Sequence, residues 1–259
     1  MLFLRNLLLL SFLGFLLGCS GENKRRDIRN FYFPLRGLTE GLVYEYAAVN
    51  NDSLAPEYWY YRSLLPGDSV FLSATYYESD LLPRQQLTQK MTSNGIVLQD
   101  MYLYEADSTR EDVQLQIPVE VISDDVFPFY VRDSGGIFVY HIKWHPPQET
   151  GATMRIIKNR RYAGDTIIRH KGLTYNAVKF DLRELFEYDK EGVLQQEYTG
   201  EEIYARGLGL VYYRKNISDE FQLEYRLTDR YPMEQLEATF RSLYGIEDEL
   251  DPDFSKMEN

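Results

Sequence analysis

Along most of the chain, apolar and polar residues alternate in short runs separated by turn residues, and a sustained helical period occurs only near the C terminus. The alternation is cleanest in two stretches. From Phe221 to Thr228, Phe221, Leu223, Tyr225 and Leu227 point one way and Gln222, Glu224, Arg226 and Thr228 the other. Val113, Leu115, Ile117, Val119 and Val121 likewise oppose Gln114, Gln116 and Glu120. A period of two gives one dry face and one wet face, as in an antiparallel sheet curved round a core and unlike a parallel sheet buried on both sides. The same reading places strands at Gly41–Val49, Glu57–Leu65, Ser69–Tyr77, Arg84–Thr92, Ile96–Glu105, Val113–Ile122, Ile137–Trp144, Ala152–Tyr162, Thr166–His170, Ala177–Tyr188, Val193–Ala205, Leu210–Lys215 and Phe221–Thr228.

Turn chemistry joins these runs into hairpins. Pro66-Gly67-Asp68, Ser93-Asn94-Gly95, Ala163-Gly164-Asp165 and Asp189-Lys190-Glu191-Gly192 each supply a residue tolerant of positive φ where antiparallel neighbours must reverse. One helix is predicted from Pro232 to about Tyr244, with Met233, Leu236, Phe240 and Leu243 on one stripe and Gly245 as its stop. The fold class is therefore mainly β: a single antiparallel, strongly curved sheet or incomplete barrel of about 11–13 strands with a short C-terminal helix. Without an internal repeat or linker, residues 31–245 read as one domain, and 246–259, rich in Asp and Glu, as an acidic disordered tail.

Composition sharpens this picture. Tyrosine accounts for 22 residues against 14 Phe and 2 Trp, an excess that suits half-buried pleated surfaces. With 40 acidic and 28 basic residues, the formal charge of −12 argues against nucleic acid as a partner.

The N terminus carries an address. Arg5 precedes the uncharged run Leu7–Leu17, the layout of a secretory signal, and the run is shorter than the roughly 20 apolar residues of a spanning helix. Leu16-Leu17-Gly18-Cys19 resembles a bacterial lipobox, and Cys19 is the sole cysteine. The resemblance implies a signal peptide over 1–18, lipidation of the Cys19 thiol and acylation of the new amino terminus. Residues 19–30 then form a flexible tether, and two or three acyl chains suffice for stable anchoring. The competing reading is an ordinary signal peptide, or an uncleaved anchor, with an incidental cysteine. Ser20, in place of an aspartate, points toward the outer membrane. Lys24, Arg25, Arg26 and Arg29 would either meet anionic headgroups or remain a solvated linker.

The candidate chemistry is sparse. Asp133-Ser134-Gly135-Gly136 resembles the end of the nucleophile motif of chymotrypsin-like proteases, but Arg132 stands where glycine should, and His141, His145 and His170 all lie downstream of the serine. It reads as a tight turn into the strand at Ile137. On that strand His141 and His145 would face the same way roughly 13 Å apart at about 3.3 Å per residue, too far to share one ion. The doublets Asp124-Asp125 and Glu201-Glu202 put successive side chains on opposite faces of a strand or into a turn. No catalytic residue, metal ligand or cofactor site is assigned, and the chain is not read as an enzyme. Asp52-Ser53-Leu54, Asp68-Ser69-Val70, Asp107-Ser108-Thr109 and Asp165-Thr166-Ile167 resemble an O-glycosylation acceptor used in the envelope of one Gram-negative phylum, and also suit turns.

Tyr32-Phe33-Pro34-Leu35, followed by Gly41-x-Val43-Tyr44-Glu45-Tyr46, is similar to the opening of envelope lipoproteins of unknown function. Tyr204-Ala205-Arg206-Gly207-Leu208-Gly209-Leu210-Val211 is similar to their closing strand. That resemblance implies a curved antiparallel sheet akin to the LolA and LolB lipoprotein carriers. Gly207 and Gly209 would allow a sharp bend or a close strand approach. Two functions follow as expectations: a lipid-anchored binding or structural module facing an envelope protein or glycan, or a periplasmic carrier of an acyl chain or other apolar ligand in the concave face of the sheet.

Overall fold

The structure is a computed structural model and describes residues 25–244 apart from 50, 52, 108, 111, 112, 133 and 134. Cys19, the residues of the predicted signal peptide, the Asp133-Ser134 pair and the acidic tail lie outside the described residues.

The alternating runs form β1 (Arg26–Asp27), β2 (Leu42–Ala48), β3 (Glu57–Leu64), β4 (Phe71–Tyr77), β5 (Pro83–Met91), β6 (Gly95–Ala106), β7 (Gln114–Pro118), β8 (Glu120–Pro128), β9 (Tyr130–Val131), β10 (Ile137–Trp144), β11 (Thr153–His170), β12 (Leu173–Asp189), β13 (Val193–Ala205), β14 (Gly209–Asn216) and β15 (Gln222–Tyr231). Helix α1 (Met233–Tyr244) follows. All strand pairs are antiparallel, and strands adjacent in sequence are mostly adjacent in the sheet, as the turn chemistry predicts.

The sheet closes, however, where an incomplete barrel was expected. Strand β15 pairs with β2, Tyr225 opposite Ala48 through Tyr231 opposite Val43, so the last strand joins the first and 12 strands form a closed barrel. Closure removes the exposed sheet edges that an open sheet would have to protect. It rests on a pairing between residues almost the whole chain apart, which no local pattern can announce. Strand β7 hangs beside the ring, paired among the described residues to β6 alone.

Four expectations are corrected. The predicted strand Val113–Ile122 is two strands, because Pro118 has no N–H for the ladder and Val119 donates to the Met101 carbonyl at 3.0 Å instead. Ala163-Gly164-Asp165 is a bulge inside the 18-residue β11, where the register with β12 shifts between Tyr162 and Gly164. The chain reverses instead at Lys171-Gly172, both in the left-handed region with φ of 48° and 79°. Phe221 is 40% exposed in the turn before β15, and Leu243 is 72% exposed on the last turn of α1. Leu236 and Phe240 alone of the predicted stripe are buried, against Val43 and Tyr231 on the outer surface of the barrel.

The folded part also begins before Phe31. Strand β1 pairs with β9, the Ile28 N–H donates to the Phe129 carbonyl at 2.8 Å, and the Ile28 side chain is fully buried, so residues 26–30 do not belong to a flexible tether. Their cations already have protein partners: Arg26 pairs with Asp165, and Arg29 with Asp27 and Tyr130.

The segment after Ile28 closes one end of the barrel. Phe31, Tyr32 and Phe33 are buried. The Phe33 ring lies 4.3 Å from Tyr61 and 5.5 Å from Tyr44, and Tyr32 lies 5.4 Å from Phe127. Such offset and edge-on pairs suit the ring quadrupoles, and each adds about 0.5–1.5 kcal/mol beyond the area it buries. Gly209, at φ of 91°, passes so close to this plug that a Cβ there would overlap the Phe33 ring, with Cγ at 2.8 Å. The Gly207 N–H donates to the Asn30 carbonyl at 3.1 Å. The two sequence segments similar to envelope lipoproteins thus meet at one end of the barrel.

Candidate functional site: the barrel interior

Paired residues on neighbouring strands share a face, so the register says what lines the barrel. One inward row runs Tyr140, Lys158, Glu184 and Tyr198 across β10 to β13. A second runs Phe138, Arg160, Leu182, Gly200 and Lys215, and a third Tyr162, Phe180, Glu202, Tyr213 and Tyr225. Charged residues therefore occupy inward positions on four adjacent strands.

They meet diagonally across the rows. The Arg160 Nε donates to Glu202 Oε2 at 2.9 Å and its Nη2 to Oε1 at 3.4 Å, a two-pronged pairing buried from solvent. The Tyr204 hydroxyl donates to the same Oε2 at 2.9 Å. Lys158 Nζ lies 3.4 Å from Glu184 and 3.8 Å from Glu202, while Lys215 donates to Glu184 and stands 4.0 Å over the Tyr198 ring. Gly200 keeps the middle of this wall low, and a Cβ there would collide with the Arg214 backbone carbonyl.

Burial pushes the Glu202 carboxyl up, but the charges of Arg160 and Lys158 outweigh it and hold it below the ordinary carboxylate range. Glu184 is treated alike by Lys158 and Lys215 and falls from 4.5 to about 2. A carboxyl depressed in the folded state contributes stability above its unfolded value and loses it as pH falls toward its folded one. The Tm should accordingly hold steady down to about pH 4.5 and then drop as the pH approaches 2. In Glu184→Gln this acid-sensitive part should shrink by about 2–3 kcal/mol, as read from thermal unfolding followed by circular dichroism.

Across the ring from β11 is an aromatic wall, where Trp59 stacks on Tyr76 at 5.2 Å and on Tyr61 at 6.1 Å; Tyr213, beside Glu202, stacks on Tyr225 at 5.3 Å and continues the aromatic lining round the barrel. Glu57 stands among them, and burial pushes its carboxyl up. Between the two walls is a cavity of about 470 Å³, in the usual range for small-ligand sites, bounded at one side by Tyr32 and Phe33 of the plug.

The barrel is similar to a candidate lipoprotein of Parabacteroides distasonis. The TM-score is 0.50 at 12% identity, over 78% of this chain and 98% of that one, which shows the fold alone. A candidate exported protein of Bacteroides fragilis with a YmcC-like fold aligns over 76% of this chain and 96% of its own at 10% identity and a TM-score of 0.47. No protein-family model matches the chain, and no curated protein matches it.

Within this fold the residues singled out in the sequence scatter. His141 and His145 point away from the interior: His141 lies near Arg155 and Glu187, while His145 Nδ1 is 3.1 Å from the Ala152 carbonyl and 3.2 Å from Thr153 Oγ1. Of the Glu201-Glu202 doublet, Glu201 pairs on the outside with Lys179 at 3.0 Å, and Glu202 is the buried carboxylate of the site. The interior charges were missed, yet a signal existed. In Ala152–Tyr162, Lys158 and Arg160 share the face of Met154, Ile156 and Tyr162, so two cations sit where alternation requires apolar residues.

Proposed function

We propose that this protein is a lipid-anchored, non-enzymatic binding protein of the bacterial envelope whose barrel interior receives a small amphipathic ligand. The cavity between the charged and aromatic walls carries the reading, since a barrel serving only as a spacer has no need of interior space. The lipobox at Cys19 and the likeness in fold to a candidate lipoprotein support the envelope setting. The cavity favours a ligand held inside the barrel, as in a carrier, over a module that offers only its outer surface.

Trp59 lines the cavity, so it reports occupancy. In a Trp144→Phe background, titration with 1-octanol should shift Trp59 emission in a saturable way. An emission spectrum indifferent to octanol up to its solubility limit would remove the interior as a ligand site.

A further inference from the structure

We infer that the charged wall is an anion-recognition site: Arg160, with Lys158 beside it, takes the carboxylate or phosphate head of a ligand whose apolar part lies against the aromatic wall. The inference rests on the interior being a ligand site and adds which chemistry it selects.

Charge balance points there first. On this wall the ionic contacts of Lys158, Arg160 and Lys215 are with Glu184 and Glu202, which leaves one positive charge in excess there; Glu57, the third acid lining the cavity, stands apart beside Trp59. The excess sits on a partly solvated wall, with the Lys158 side chain 24% and that of Lys215 32% exposed, where an incoming anion can reach and cancel it. Hydrogen bonding points the same way. Glu202 uses the Nε and Nη2 donors of Arg160, whereas Nη1 is buried and has no hydrogen-bond partner among the described residues. A buried donor left unsatisfied carries the cost of its lost hydration, and an oxyanion would satisfy it with a charge-assisted bond. Glu202 and the Tyr204 hydroxyl fix the plane of the guanidinium, so they are positioning residues, with Arg160 as the contact. The apolar remainder of the ligand has Trp59, Leu87, Leu98 and Ile142 to lie against. An uncharged glycan would suit the stacked rings but leave the excess cation unmatched.

Calorimetry on the full chain in nanodiscs, with empty nanodiscs as the blank, separates the possibilities. The probes are octanoate, octyl phosphate, 1-octanol, octyl glucoside and inorganic phosphate. Octanoate and octyl phosphate should bind at least about ten-fold tighter than octanol, the effect of one buried charged hydrogen bond. The paired replacement Arg160→Met with Glu202→Met, which removes the Nη1 donor without stranding Glu202, should cut that preference sharply, Lys158 being then the remaining excess cation. Lys158→Gln, whose side chain is 24% exposed and easier to lose, should reduce the preference several-fold should the pair fail to fold. Inorganic phosphate binding as tightly as octyl phosphate would support the site and assign it to a free anion. Equal affinity for octanoate and octanol, or octyl glucoside binding more tightly than octyl phosphate, would overturn the anion site and leave the cavity reading intact. Binding of none of the probes would overturn both.

Discussion

Replacing Glu202 by leucine is expected to lower the unfolding free energy by about 3–5 kcal/mol, because it leaves the Arg160 guanidinium buried with no counter-charge. Little of this is the worth of the ion pair itself. Two charges taken out of water recover through their attraction roughly what desolvation costs, so removing both is far milder than removing one. The paired Arg160→Met, Glu202→Met protein should consequently unfold within about 1–2 kcal/mol of the wild type, or above it. Denaturant unfolding of Arg160→Met, of Glu202→Met and of the pair measures the coupling directly. A single variant no less stable than the pair would mean that solvent reaches Arg160 and that the wall is not dry.

The second large effect concerns the plug. Gly209→Ala should cost about 2–4 kcal/mol, from overpacking against Phe33 together with the left-handed backbone that L-residues resist. The two contributions separate by truncating the neighbour. In a Phe33→Ala background, already weakened by about 3–5 kcal/mol, the Gly209→Ala increment should fall to the backbone part alone, about 1–2 kcal/mol. Equal increments in both backgrounds would show that the ring is not what excludes a side chain at Gly209.

How much of this was legible in the sequence follows from the range of the interactions involved. The β class, the meander and most strand ends were readable, because period-two alternation and residues such as Gly67, Asn94 and Gly192 act between neighbours. Closure of the ring was not, since β2 and β15 meet from opposite ends of the chain. Gly164 illustrates a local ambiguity: a glycine between two strand-like runs serves a turn and a bulge equally well, and only the continuous pairing of β11 with β12 decides between them. For the site, Tyr204, Gly209 and the Phe33 ring that Gly209 packs against were legible through a family likeness. The ionic wall went unread because Glu202 looked like one half of an acidic doublet. Its meaning lies in Arg160, a residue 42 positions away that β-pairing brings to 2.9 Å.

The central claim is that the interior of the barrel holds a ligand, and native mass spectrometry of the full chain isolated from its host membranes under non-denaturing conditions tests it most directly. The account predicts a bound species of small mass that leaves on unfolding and that is lost or exchanged for a different one in the Arg160→Met, Glu202→Met protein. A chain that flies bare from gentle isolation, and stays bare after incubation with octanoate and octyl phosphate, would contradict it.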